Sequence, residues 1–127
     1  MSQKTVLIVE DDPICRESLK DLFEMEDYNC LEASGGRDAV EIVKANKNAI
    51  DLIVSDIRMP NGNGVELLMS VKAMDPSIPP VILITGFSTA EEESLVEKGA
   101  ECVLSKPIDF AELFAEVEKA IAKFKAA

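Results

Sequence analysis

Acidic side chains follow two short apolar runs of this chain. Glu10, Asp11 and Asp12 come directly after one run, and Asp56 comes directly after another. Two carboxylates about 4 Å apart repel each other by about 4 kcal/mol at an effective dielectric near 20, so such a cluster calls for a proton or a cation. The ligands on offer are all oxygens. Oxygen ligation by carboxylates suits a hard ion that keeps some of its waters, which predicts Mg2+ or Mn2+.

A lysine and a hydroxyl group stand at the ends of two further apolar runs, as Lys106 and Thr85. A divalent cation together with Lys106 provides more positive charge than one carboxylate needs, which is typical of a site that receives a phosphoryl group. Asp56 is the natural acceptor, because a carboxylate can attack phosphorus and form an acyl phosphate. The metal and Lys106 would neutralise the phosphoryl oxygens, and Thr85 could donate a hydrogen bond to one of them.

The elements that must bring these residues together alternate regularly. Runs rich in Val, Ile and Leu predict strands at 5–9, 28–33, 52–55, 81–85 and 101–104, and amphipathic stretches predict helices at roughly 13–26, 37–45, 64–74, 89–98 and 110–125. The first, third and fourth runs are apolar throughout, as burial on both faces of a strand requires. The alternation predicts an α/β fold, a doubly wound parallel sheet with helices on both faces. Ligands of such sheets bind at the carboxyl ends of the strands, where the polar residues stand.

Start and stop signals bound the helices. Asp12 precedes Pro13, so its carboxylate can cap the first amides while proline takes the first helical position. Further capping signals are Ser88 with Glu91, Asp109 with Glu112, and a terminating Gly99. The predicted inward faces are Cys15, Leu19, Leu22 and Phe23 in the first helix, and Phe110, Leu113, Phe114, Val117, Ile121 and Phe124 in the last.

Composition excludes several classes of function. The net charge of −11 gives no electrostatic footprint for nucleic acid, and it disfavours anionic membranes. No apolar run exceeds four residues, so we expect neither a membrane span nor a signal peptide, and a cytoplasmic location. The chain has no histidine, which removes histidine-based catalysis, histidine–zinc sites and phosphohistidine on this chain. The three cysteines share no ligand spacing, and each is expected to be a small buried hydrophobe.

The chain resembles a response-regulator receiver domain of two-component signalling over essentially its whole length. The motifs are Val-Glu-Asp-Asp at 9–12, Ser-Asp-Ile-Arg-Met-Pro at 55–60, a glycine at 64, Thr-Gly at 85–86 and Ser-Lys-Pro at 105–107. The resemblance implies one receiver domain over residues 1–127. It also implies a flavodoxin-like five-stranded sheet in the order 2-1-3-4-5, the order of the family's chemotaxis member.

The resemblance also implies a role for each motif residue. Asp56 matches the phosphoacceptor, and Thr85 and Lys106 match the switch hydroxyl and the phosphoryl-binding lysine. Mg2+ would be held by Asp11, by Asp56, by the backbone carbonyl of Arg58 and, through water, by Glu10. Asp12 lies one place beyond the acidic pair and serves as the helix cap. The peptide bond between Lys106 and Pro107 is expected to be cis.

The implied function is a phosphoacceptor switch rather than an enzyme, with at most slow self-catalysed phosphoryl transfer and dephosphorylation. The donor would be the phosphohistidine of a sensor histidine kinase or phosphotransfer protein, and the output an unidentified partner or effector domain. One position departs from the family. Val103 stands three places before the lysine, where an aromatic residue is common, so the usual coupled motion of hydroxyl and ring cannot occur in that form. Phe87 is a speculative substitute.

Other readings of the same residues remain open. An aspartyl-phosphate hydrolase would use the same aspartate and metal, but it usually has a second aspartate two residues on, where this chain has Arg58. A degenerate receiver would signal without phosphorylation, although the full set of site residues argues against it. The sequence suits both a stand-alone receiver and one cut from a longer protein, and it leaves the oligomeric state open.

Overall fold

The computed structural model describes residues 3–46, 49–59, 63–74, 79–86 and 91–126, with backbone alone at 91–93 and 124–126. In this described part of the chain, five strands alternate with five helices. They are β1 (Thr5–Val9), α1 (Pro13–Met25), β2 (Asn29–Ala33), α2 (Gly36–Ala45), β3 (Leu52–Asp56), α3 (Gly64–Met74), β4 (Val81–Thr85), α4 (Glu91–Glu97), β5 (Cys102–Ser105) and α5 (Phe110–Ala126). The predicted alternation is therefore confirmed.

The five strands form one parallel sheet in the order β2-β1-β3-β4-β5, as the resemblance implied. Two strands extend one residue further at the carboxyl end than the sequence predicts, and β2 and β5 also begin one residue later than predicted. β3 continues to Asp56, which pairs with Ile84 of β4, and β5 continues to Ser105, which pairs with Thr85. The ladder extends because the neighbouring strand still offers hydrogen-bonding groups there: the amide of Ile57 donates to the carbonyl oxygen of Ile84 at 2.9 Å.

The core has two layers, one on each face of the sheet. Alternate residues of a strand point to opposite faces, so Val6 and Ile8 contact one layer while Leu7 and Val9 contact the other. The first layer packs against α1 and α5, where Phe23 meets Phe114 edge to face with ring centroids 5.0 Å apart. The second layer packs against α2, α3 and α4. Both faces of the sheet are thus buried, as the continuous apolar runs predict.

The prediction of buried cysteines is wrong. Cys15 is exposed, and Cys30 and Cys102 are half-buried. Phe110 is also exposed, although it was assigned to the inward face of the last helix. Cys15 and Phe110 lie in the first turn of helices that begin beyond the carboxyl ends of the strands, so the sheet does not cover them. Burial raises the pKa of Cys30 to about 11 and that of Cys102 to about 12, which leaves both thiols protonated at neutral pH.

The predicted caps that lie within the described residues are present. The amide of Ile14 donates to Asp12 Oδ1 at 2.9 Å, and the amides of Ala111 and Glu112 donate to Asp109 Oδ1 at 3.0 and 3.3 Å. The glycine at 99 has a φ of 119°, a value that L side chains rarely adopt. The predicted Ser88 cap and the side chain of Phe124 lie outside the described residues. Among the described helices, none is long and apolar enough to cross a bilayer.

We expect Asp109→Ala to lower the free energy of unfolding by about 1 kcal/mol, because two amides of α5 lose their acceptor. Urea unfolding followed by far-ultraviolet circular dichroism measures the change. Glu118→Ala, which removes an exposed carboxylate from the middle of α5, is the control and should change stability by less than about 0.5 kcal/mol. Equal losses in the two variants would contradict the capping role.

Candidate functional site

Three carboxylates meet at the carboxyl-terminal edge of the sheet. β1 and β3 are adjacent parallel strands, so Glu10 and Asp11 after β1 stand beside Asp56 at the end of β3. One carboxylate oxygen from each of these residues lies within 4.8 Å of the other two. Such a set of oxygens can hold a hard divalent cation.

Lys106 brings a positive charge to this group from β5. Its Nζ lies 2.9 Å from Asp56 Oδ2 and 3.7 Å from Glu10 Oε1. Its backbone amide donates to the carbonyl oxygen of Thr85 at 2.8 Å, and its peptide bond to Pro107 is cis, as expected. Burial alone would lower the pKa of Lys106, but the hydrogen bond to Asp56 and the attraction of both carboxylates outweigh it and raise the pKa above its usual value. The ammonium group is therefore fully charged at neutral pH.

Glu10 is buried much more deeply than its position beside a strand end implies. Only 4% of its surface is exposed. Burial raises its pKa to about 7, helped by the hydrogen bond and the charge of Asp56 and opposed by Lys106. Among the described residues, no group donates a hydrogen bond to its buried Oε2. Because buried polar atoms are almost always partnered, this oxygen is suited to a water or cation held at the site.

The remaining motif residues stand around this group. Thr85 is buried at the end of β4, one residue beyond Ile84, which is the register partner of Asp56. Arg58 is exposed two residues after β3, and the metal-binding role of its carbonyl stays a prediction. The carboxylate of Asp12 caps α1: it accepts from the amide of Ile14, and this bond lowers the pKa of Asp12. Phe87 lies outside the described residues.

Gly64 is packed directly against the backbone of Asp56. A Cβ atom at this position would lie 2.5 Å from the carbonyl oxygen of Asp56 and 3.0 Å from the Cα of Ile57. The amide of Gly64 also donates to the carbonyl oxygen of Ile57 at 2.8 Å. The first residue of α3 thus fixes the end of β3, which explains why a glycine follows the aspartate motif in the sequence.

An apolar cavity of about 390 Å3 opens beside Asp56 and Lys106. Cys15 and Phe110, whose burial was wrongly predicted, both line it. The cavity therefore accounts for their exposure, because the first turns of α1 and α5 enclose a space at the edge of the sheet instead of closing over the core.

One residue that contacts the site, Arg16 of α1, is not among those predicted from the sequence. Arg16 of α1 donates from Nη1 to the carbonyl oxygen of Glu10 at 2.7 Å. Its position in α1 is a signal that the sequence offers. A cation near the amino end of a helix interacts unfavourably with the helix dipole, so its presence there indicates a specific partner.

A family model for the response regulator receiver domain matches residues 6–118. The chain belongs to the response regulator receiver domain family. It is 36% identical over 118 residues to the transcriptional regulatory protein ZraR of Escherichia coli, covering 92% of this chain and 26% of ZraR. It is 34% identical over 103 residues to the sensor histidine kinase RcsC of Salmonella typhimurium, covering 81% of this chain and 11% of RcsC.

A solved receiver domain from Clostridium thermocellum superposes with a TM-score of 0.91 at 27% identity, covering 97% of this chain and 98% of that one. The chain is therefore a phosphoacceptor switch of two-component signalling. The family is regulatory, binds Mg2+ at an acidic pocket, and interacts with histidine kinases or phosphotransfer proteins and with effector domains.

Gly64→Ala should destabilise the protein by about 1–3 kcal/mol, because its methyl group would overlap the carbonyl oxygen of Asp56 and backbone must shift. Gly86→Ala is the matched control: a Cβ there meets nothing within 4 Å. Chemical denaturation measures both. A Gly64→Ala variant as stable as Gly86→Ala would mean that the close approach costs nothing.

The contribution of Glu10 to the stability of the metal-free protein should decrease as the pH rises from about 4.5 to about 7. The sign follows from its raised pKa: within this window the folded state holds a proton that the unfolded state has lost. Glu10→Gln should remove this contribution, so its stability relative to the unmodified protein should increase by on the order of 2 kcal/mol between about pH 5 and pH 8.

Thermal and urea unfolding with a chelator present measure this difference. Glu17→Gln, which changes an exposed carboxyl on α1, is the control and should follow the unmodified protein across the range. A constant difference between Glu10→Gln and the unmodified protein would show that Glu10 does not carry the extra proton.

Proposed function

We propose that Asp56 is the phosphoacceptor of this receiver domain, which spans residues 1–127, and that it takes its phosphoryl group from a phosphohistidine on a partner kinase or phosphotransfer protein. One observation carries the proposal: Lys106 Nζ lies 2.9 Å from Asp56 Oδ2, and one carboxylate oxygen each of Glu10, Asp11 and Asp56 lie within 4.8 Å of one another. Asp56 is thus the carboxylate at which a lysine and a cation-binding cluster meet.

The residues present fit Mg2+, and Mn2+ has the same ligand preference. Asp11 and Asp56 would bind the ion directly, Arg58 through its carbonyl oxygen and Glu10 through a water. Oε2 of Glu10, for which no described residue provides a hydrogen-bond partner, supports this assignment, because a water on the ion would donate to it. When bound, the ion offsets the charge of the carboxylates and of the incoming phosphoryl group.

The chain's own residues account for the transfer. An Asp56 carboxylate oxygen attacks phosphorus, a P–O bond forms, the P–N bond to the donor imidazole breaks, and the imidazole leaves with the bonding electrons. Lys106, already paired with this carboxylate, is in place to pair with a phosphoryl oxygen of the product. Thr85 at the end of β4 would donate its hydroxyl hydrogen to another.

The phosphorylated state would be selected from conformations that already exist in equilibrium, because the added charge favours those in which Lys106 and Thr85 contact it. Val103 is half-buried in β5 and packs against the layer that contains α4. Its side chain has no ring to turn, so we propose that switching proceeds without the aromatic rotation common in the family. The downstream partner or effector domain is not identified by these residues.

Incubation with acetyl phosphate and Mg2+ should add one phosphoryl group, measured by intact-protein mass spectrometry, and the adduct should be labile to alkali. Asp56→Asn should abolish the labelling, because an amide oxygen is a much weaker nucleophile. Asp12→Asn is the matched control: it also removes a carboxylate at the strand ends, but Asn caps a helix equally well, so labelling should persist.

Labelling of Asp56→Asn to the level of Asp12→Asn would refute the assignment. An absence of labelling in the unmodified protein would refute phosphoacceptor chemistry at this site as a whole. A multiple-turnover assay with phosphate esters tests the hydrolase alternative. Sustained release of phosphate would support a hydrolase, and its absence would contradict one.

A further inference from the structure

We propose that Arg16 is a positioning residue for the cation site, acting through the peptide that joins Glu10 to Asp11. The inference rests on the proposed function, since it assigns a role in the binding of Mg2+ by Asp11, Glu10 and Asp56. It concerns a side chain that contacts no ligand itself. Its action is confined to the orientation of the two acidic residues after β1.

Both backbone groups of Glu10 are held, although β1 ends one residue earlier. The amide of Glu10 donates to the carbonyl oxygen of Ala33, at the end of β2, at 3.1 Å. The carbonyl oxygen of Glu10 accepts from Arg16 Nη1 at 2.7 Å. The first bond continues the contacts of the sheet, while the second is made by a side chain. Arg16 therefore supplies the restraint that the strand no longer provides.

The carbonyl that Arg16 holds is part of the Glu10–Asp11 peptide plane. Fixing this carbonyl fixes ψ of Glu10, and a change in that angle which φ of Asp11 does not compensate displaces Asp11 relative to Glu10. The carboxylate of Glu10 is buried and lies 3.7 Å from Lys106 Nζ, so such a change would move the carboxylate of Asp11 away from those of Glu10 and Asp56. Metal ligands need such support, because a coordination shell tolerates little displacement of its donor atoms.

Arg16 is itself anchored to the sheet. Its Nε lies 3.5 Å from Glu32 Oε1 on β2, and its side chain is only 22% exposed. The planar guanidinium thus bridges a carboxylate on one strand and a carbonyl after another, a geometry that the single ammonium group of a lysine does not reproduce. Lys20, one turn further along α1, pairs with the same glutamate, at 3.6 Å between Nζ and Oε2.

The test compares Arg16→Met with Lys20→Met. Both changes remove one positive charge from α1 and one partner of Glu32, but only the first releases the carbonyl of Glu10. Mg2+ affinity is measured by isothermal titration calorimetry and by amide shifts in nuclear magnetic resonance, without any phosphoryl donor. Arg16→Met should weaken Mg2+ binding about 10- to 100-fold, and Lys20→Met should leave it unchanged.

Two further variants separate positioning from folding. The Mg2+ affinity of Arg16→Lys should lie between those of the unmodified protein and Arg16→Met, because lysine keeps the positive charge but loses the planar guanidinium group. Glu32→Gln removes the anchor without touching Glu10, and should weaken Mg2+ binding in the same direction by a smaller factor. Acetyl phosphate labelling should recover in Arg16→Met at saturating Mg2+, which a general loss of structure would not allow.

If the unmodified protein is phosphorylated by acetyl phosphate but Arg16→Met and Lys20→Met bind Mg2+ with equal affinity, the positioning role is overturned and the proposed function stands. If Arg16→Met does not fold, unchanged affinities in both Arg16→Lys and Glu32→Gln would overturn it in the same way. A failure of the unmodified protein to bind Mg2+ or accept a phosphoryl group would instead overturn the proposed function.

Discussion

The site is organised by the mutual repulsion of three carboxylates held close together by the ends of two adjacent strands. Val9 pairs with Ser55 at the end of the β1–β3 ladder, so Glu10 and Asp11, which follow β1, stand beside Asp56 at the end of β3. Two features reduce this repulsion in the metal-free protein: Lys106 pairs with Asp56, and the pKa of Glu10 is raised to about 7, so that Glu10 keeps its proton below that pH. A bound cation would offset the same repulsion and would allow the acidic cluster to receive a dianionic phosphoryl group. The repulsion among the carboxylates that lowers the stability of the metal-free protein also favours cation binding, so folding stability and cation binding are linked.

The backbone around Asp56 is as constrained as its charge. β3 reaches Asp56 because Ile84 of β4 still offers a carbonyl oxygen, which accepts from the amide of Ile57, and the first residue of α3 packs directly on the resulting strand end. Gly64 is needed there because of this contact and not for its own dihedral angles. Asp56 is therefore held by packed backbone on a rigid element, and phosphoryl chemistry that depends on orientation gains from that rigidity.

Much of this arrangement can be predicted from the sequence, because the signals are local. Continuous apolar runs indicate buried parallel strands, polar residues after them indicate the binding edge, and Pro13 distinguishes the cap Asp12 from its acidic neighbours. Strand order is a non-local property, and here it came from the resemblance rather than from periodicity. The misassigned Cys15 and Phe110 have the spacing of inward residues, but spacing does not reveal where the sheet stops. The burial of Glu10 and the reach of Arg16 depend on packing between distant segments, which no local pattern encodes.

The link between the two residues expected to contact a phosphoryl group is itself part of the fold. The amide of Lys106 donates to the carbonyl oxygen of Thr85, so the ends of β4 and β5 are joined through the backbones of these two residues. A displacement of one residue relative to the other must lengthen or break this bond. Under the proposed function, the bond would therefore couple a movement of Thr85 to one of Lys106 without a rotating ring, and Val103, which packs against the layer that contains α4, has no ring to turn. With valine at position 103, the backbone bond between Lys106 and Thr85 is a link between β4 and β5 that does not depend on an aromatic ring.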